Sequence, residues 1–303
     1  MEIGISAGPG IETDLRPRRA DAPRRALTEH ILALADQAGF GAALIDASAA
    51  GRGEASVITW PQFAHMVRAA ARGLSRRGLR EADTAGIFVQ DAVSHVLAVH
   101  AVRAAGAIAA PVRPAQTAAD IAAQLKLGRA RLLITSAGLA ELAIQAAELS
   151  WVRQVFAFGE AEGTTPFGSL LHTARHGQLQ ANGSASHNGH TGGHSAAQAL
   201  RLDGLDLARV GLDGLDLVRL GLDLDGPALR LTHRDVVVAA PPCGDPETYT
   251  ALLDLVLAAG ATLVAAPLPQ VAAAVGAYKG TAAIVPRGTD VPGLPAERVL
   301  TVA

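Results

Sequence analysis

Cysteine, aromatic residues and charge are all scarce in this chain of 303 residues, and each shortage excludes something. The single cysteine, Cys243, cannot close an internal disulfide, so the chain suits a reducing cytoplasm. Aromatic residues make up 3% and charged residues 18%, with a formal net charge of −2 at pH 7. That balance offers no field of one sign to attract nucleic acid or an anionic membrane, and neither is expected as a partner. No apolar run reaches the roughly 18 residues of a spanning helix. The opening "MEIGISAGPGIETDLRPRRADAPRR" lacks the apolar core of a signal peptide. What is abundant is hydrophobic residues, at 50%, many of them alanine, whose small side chains favour close helix–sheet packing.

Residues 1–26 read as a flexible lead-in with a solvated Arg cluster. From Leu27 the pattern alternates helix and strand. Thr28 is placed to cap a helix "EHILALADQAG" that ends at Gly39. "AALID" (42–46) and "ASVIT" (55–59) read as strands. Thr59 and Gln62 form a capping box opening a helix with Pro61 in its first turn and Gly78 at its end. The strands "AGIFVQ", "AIAAPV", "RLLIT" and "QVFAF" follow. Between them lie the helices "AVSHVLAVHAVRAAG", "AADIAAQLKLG", capped by Thr117 and Asp120, and "LAELAIQAAEL". Strands apolar throughout, joined by helices, imply an α/β fold: mostly parallel βαβ sheets with helices on both faces.

The pattern breaks after residue 177. Residues 178–199, rich in Gly, Ser, Asn and His, have no hydrophobic period and read as a linker. Two near-copies follow, "LDGLDLARVG" (202–211) and "LDGLDLVRLG" (212–221), whose Asp-Gly turns suggest a small β-meander ending in "PALRL". Thr232 and Asp235 then form a second capping-box spacing, which predicts a helix from His233 to Pro241-Pro242. Helix and strand alternate again through "DPETYTALLDLVLAAG", "ATLVAAP", "QVAAAVGAYKG" and "TAAIVP". The expected units are therefore a lead-in (1–26), a first βα subdomain (27–177), a linker (178–199), and a meander with a second, incomplete βα subdomain (200–303).

Four stretches together resemble one family. The block from Thr59 to Thr135 carries a helix, a strand and a "GA…P…P" turn. "LRLTHRDVVVAA", "LLDLVLAAGATLVAAP" and "VGAYKGTAAIVP" follow in order. This order resembles the large N-terminal lobe of the acyl-adenylate-forming (AMP-binding) superfamily, which includes acyl-CoA synthetases, luciferases and peptide-synthetase adenylation domains. The resemblance implies ATP-dependent activation of a carboxylate, and it makes Thr232 and His233 the remnant of a nucleotide site. The family's phosphate loop, rich in Ser, Thr and Gly with a Lys, should fall between Leu220 and Leu229. The residues there are "GLDLDGPA", with Asp223 and Asp225 and no Ser, Thr or Lys. Two carboxylates repel a polyphosphate. The family's later adenine- and ribose-binding motifs, and its mobile C-terminal lobe with a catalytic Lys, find no counterpart here.

The expectation is a degenerate ligase-like protein that does not adenylate alone. It would have no catalytic residue and no cofactor, and would act as a binding or accessory partner or as a homo-oligomer. The alternative is an acyl-CoA synthetase-like ligase using ATP and Mg²⁺, completed by a separate C-terminal lobe. A third reading takes His172 and His176 on a helix, with His187, His190 and His194, as a metal site. The fixed backbone and acidic partners such a site needs are missing, so a solvated polar stretch is the better reading and no metal is expected. The repeated Asp residues read as turn residues, His65, His95 and His100 as surface or core-edge positions, and Cys243 as an unactivated thiol after a helix end.

Overall fold

A strand that is apolar at every position has to be covered on both faces, and a chain with many such strands must stack its helices and sheets in layers. The computed structural model describes residues 21–48, 55–115, 117–172, 231–295 and 298–302. The expected linker, the ten-residue repeats, the meander, the Gly221–Ala228 stretch and His176, His187, His190 and His194 lie outside the described residues.

Five parallel strands form one sheet in the order β4-β3-β5-β6-β7: β3 (Thr84–Phe88), β4 (Ile108–Pro111), β5 (Ala130–Ser136), β6 (Gln154–Phe158) and β7 (Thr165–Pro166). Six strands form the other, in the order β11-β10-β8-β9-β1-β2. They are β1 (Ala42–Asp46), β2 (Ser56–Thr59), β8 (Val236–Ala239), β9 (Thr262–Ala265), β10 (Ala282–Pro286) and β11 (Val299–Val302). All its pairings are parallel except β1 with β2. A boundary drawn along the sequence therefore does not separate the two sheets, because Leu44 of β1 pairs with Leu263 of β9.

The helices are α1 (Asp21–Gln37), α2 (Trp60–Arg76), α3 (Ala92–Ala104), α4 (Ala118–Leu127), α5 (Ala140–Glu148), α6 (Pro246–Ala258) and α7 (Val271–Tyr278). Helices α4 and α5 cover the outer face of the five-stranded sheet, and α7 covers that of the six-stranded sheet. Between the sheets lie α1, α2, α3 and α6. Helix α3 is buried from Ala92 to Arg103 and touches both cores. No helix among the described residues is long and apolar enough to cross a membrane.

Several local expectations hold in detail. Thr59 and Gln62 make the capping box of α2, with Pro61 in the first turn. Thr117 caps α4 through the Asp120 N–H. Two caps escape the Ser/Thr pattern: Asp91 accepts from Ser94 N at the start of α3, and Asp245 accepts from Thr248 N at the start of α6.

Three expectations are corrected. Helix α1 begins at Asp21, so part of the expected lead-in is helical and Thr28 is no cap. Leu27, Ile31 and Ala35 supply a buried stripe at four-residue spacing, and Thr28 on the same side sends its hydroxyl to His100 Nδ1, 2.9 Å away. The segment after Thr232 is strand β8 rather than a helix. Asp235 Oδ2 does accept from the N and Oγ1 of Thr232, but the bond from Asp235 N to Thr232 O closes a turn. Three consecutive valines then fit a strand pinned between β9 and β10. Strand β11 was hidden by the Pro- and Gly-rich stretch before it.

The polar side chains of α3 have to be satisfied inside the protein. Arg103 Nη1 donates to Asp254 Oδ2 of α6 at 2.8 Å, with both side chains 6% exposed. His100 Nε2 lies 3.4 Å from Asp254 Oδ1, close enough for attraction but not aligned as a hydrogen bond. His95 Nε2 meets Thr250 Oγ1 of α6 at 2.8 Å. Burial keeps both imidazoles neutral, with pKa values of about 3 for His95 and about 4 for His100, although the Asp254 charge pulls each part of the way back.

Three outcomes follow from this packing. Asp254→Ala leaves the Arg103 guanidinium buried without its partner, and urea unfolding should show a loss of about 3–5 kcal/mol. Gly73→Ala should destabilise by about 1–3 kcal/mol, against its helix-propensity gain of about 1 kcal/mol. The added Cβ would come within 2.5 Å of Leu170 O, a backbone atom with no room to yield. Acid should also weaken the fold. Below pH 6.5 the unfolded chain takes up protons that the core refuses, so stability falls as pH drops toward about 4 for His100 and about 3 for His95. The slope should approach about 1.4 kcal/mol per pH unit per histidine. Urea midpoints that stay flat or rise between about pH 7 and pH 5 would contradict this.

Candidate functional site

In parallel α/β sheets the strand ends at the carboxyl edge are where loops leave room for a ligand. Here the carboxyl edges of both sheets frame a cleft of about 240 Å³. The run Ile87–Gln90 at the end of β3 supplies one wall. Val112, Pro114 and Ala115 after β4, and Leu139 after β5, supply the next. Pro241, Pro242 and Pro246, from the β8–α6 connection, close the far side, and His95 reaches the cleft from α3. Among the described residues lining it there is neither Lys nor Arg.

The polar groups here are held in definite states. Thr250 Oγ1 donates its proton to Pro246 O at 2.7 Å, the back-bond of a helical Thr. It must therefore accept from His95, which assigns the Nε2–H tautomer and leaves Nδ1 as an acceptor. The His95 ring also sits edge-on to Tyr249 at 5.4 Å, and Tyr249 in turn donates to Ala240 O at 2.7 Å. Gln90 N–H donates to Ser136 Oγ, and its side chain lies over Gly138, where a Cβ would come within 2.8 Å of Oε1. Any larger residue at 138 would displace the amide.

Two carboxylates act on each other near the start of α3 and the end of β1. Burial raises the pKa of Asp91, its hydrogen bonds from Ser94 counter that, and the charge of Asp46 pushes it up again. Asp46, at the end of β1, accepts from both N and Oγ of Ser48. Cys243 follows strand β8, not a helix, and burial raises its pKa, so it is held as a thiol rather than a thiolate nucleophile.

The residues singled out from sequence are not brought together. Thr232 and His233 sit at the amino end of β8, the end away from the cleft. Both the N–H and the hydroxyl of Thr232 donate to Asp235 Oδ2. Asp235 is further held by Thr281 and Arg298; burial raises its pKa, but these bonds outweigh that and leave it lowered. His233 is exposed, as is His65 on α2. His172 is exposed just past a short 3-10 turn, Phe167–Leu170, where an α-helix was expected. Among the described residues no group of three or more His, Cys, Asp or Glu converges as a metal site.

His95 and His100, expected at the surface or core edge, are instead 3% and 0% exposed. The signal that identifies them is a helix apolar on every side that still carries His95, His100 and Arg103. Thr250 and Asp254 face them at helical spacing on another such helix.

Residues 36–182 match the family described as AMP-binding enzyme. Among solved structures, the fold is similar to a long-chain-fatty-acid-CoA ligase from Archaeoglobus fulgidus. The identity is 18% and the TM-score 0.61, covering 87% of this chain and 52% of that one. It is also similar to a benzoate CoA ligase from Burkholderia xenovorans, with 20% identity, a TM-score of 0.58, and 91% and 54% covered. A luciferase-like enzyme from the mealworm Zophobas morio gives 13% identity, a TM-score of 0.59, and 88% and 62% covered. The chain thus spans about half to three fifths of the length of these structures. The family match and the layered pair of parallel sheets agree: residues 36–182 match the AMP-binding enzyme family, and the fold is similar to that of the large N-terminal lobe of these ligases.

Proposed function

We propose that this chain is an adenylate-forming lobe that does not adenylate by itself and serves as a binding or accessory component, a pseudoenzyme. The observation that supports this most is the cleft at the strand ends. Its described lining holds no cation, and Asp91, which caps α3, follows the lining residue Gln90 in the chain. Holding a triphosphate takes several charge-assisted hydrogen bonds, each worth about 1.5–3 kcal/mol. The sequence "GLDLDGPA" adds Asp223 and Asp225 where the family resemblance expects a phosphate loop. Thr232, expected at the nucleotide, already gives its hydroxyl proton to Asp235.

In this role the protein needs neither ATP nor Mg²⁺, and its partner is another protein or a second copy of itself. Pyrophosphate exchange with ATP–Mg²⁺ and a panel of aryl, fatty and amino acids tests it. The expected result is no exchange, with titration calorimetry giving a Kd for ATP–Mg²⁺ weaker than about 1 mM. Exchange that disappears on Thr232→Ala or His233→Ala would overturn the proposal. It would show instead a carboxylate-activating ligase of the acyl-CoA synthetase type, with or without a separately encoded lobe.

A further inference from the structure

We infer that the cleft takes a small apolar ligand bearing one uncharged hydrogen-bond donor, an alcohol or a phenol, recognised through Nδ1 of His95. This deepens the reading of the cleft as a binding site without nucleotide, and rests on it. His95 lines the cleft yet is only 3% exposed. Its Nε2–H is committed to Thr250, whose own proton is committed to Pro246 O. Nδ1 is then a lone-pair acceptor, and among the described residues nothing donates to it. Nδ1 is not one of the fully enclosed atoms that lack a partner, so its lone pair meets the water of the cleft, and a ligand hydroxyl would take that water's place. Burial keeps this ring neutral well below physiological pH, so it offers neither a positive charge nor an N–H at that position.

The walls argue for the same ligand. Ile87, Val89, Val112 and Leu139 are apolar, and four of the lining residues are prolines: Pro114, Pro241, Pro242 and Pro246. Proline has no backbone N–H, so this wall cannot assemble the fan of amide donors that a carboxylate or phosphate requires. The space, about 240 Å³, suits a single substituted ring, since a cavity of about 150 Å³ already accommodates benzene.

The test compares benzyl alcohol, benzoate and benzylamine on the full chain without ATP, by ligand-observed NMR and calorimetry. Benzyl alcohol should bind at least about tenfold more tightly than either charged analogue, and His95→Phe, which keeps a ring but removes the acceptor, should lose about tenfold. ¹⁵N-histidine spectra of the unmodified chain supply a readout that does not depend on a variant folding. His95 should show a bare Nδ1 whose resonance moves with added benzyl alcohol and not with benzoate.

Benzoate binding as tightly as the alcohol, benzylamine binding more tightly, or a protonated or unmoved Nδ1 would each overturn the inference. None of these measurements involves pyrophosphate. Equal benzoate binding without exchange would therefore sink this inference alone. Exchange activity alongside a clear preference for the alcohol would sink only the reading of the protein as non-adenylating.

Discussion

The structure depends on the burial of α3 between two sheets, and the Arg103–Asp254 pair is what makes that burial possible. A helix that touches both cores has no face left for water, so each polar atom on it must find a partner within the protein. Arg103 finds one on α6, and His95 and His100 are drawn to the same neighbour through Thr250 and Asp254. The pair contributes little net stability compared with an apolar replacement, because both charges are desolvated. What it does is tie α6 to α3, and the β8–α6 connection that closes one wall of the cleft leads into the helix so tied.

Much of this architecture was legible in the sequence. Apolar strand runs such as "QVFAF" and the Thr59–Gln62 box are local signals, and locally they were sufficient. Failures came where a distant partner overruled a local rule. Thr28 has the chemistry of a cap, but His100, on another helix, takes its hydroxyl. Thr232 and Asp235 have the spacing of a capping box and make one of its two bonds, Thr232 N–H to the Asp235 carboxylate, yet the valines that follow are claimed by β9 and β10. Local chemistry was read correctly, and its structural outcome was set by pairings that no window of the sequence contains.

The cleft was less legible than the fold. Its walls come from four separate connections and helix α3, and the state of His95 Nδ1 is defined only once the Thr250 proton has been traced to Pro246. Family resemblance pointed instead to Thr232 and His233, at the far end of β8. The prolines that remove backbone donors from the wall, Pro241 and Pro242, had been read as helix stops. They do end a segment, but the segment is a strand and their place is the rim of the cleft.

The pairing of β1 with β9 has a consequence for how the chain is made. Thr262 Oγ1 donates to Ala42 O, a contact across 220 residues. At about 5–20 residues per second, a ribosome takes roughly 10–45 s to cover that interval. The five-stranded sheet is contiguous from Thr84 to Pro166 and can assemble during this time. Meanwhile β1 and β2 form a hairpin with an unsatisfied edge, and Leu44, later wholly enclosed, has no sheet to join. Such an edge is a template for the wrong neighbour until the right one emerges. Until β9 emerges, the open edge of β1 is where a wrong strand would pair, whatever the finished protein binds.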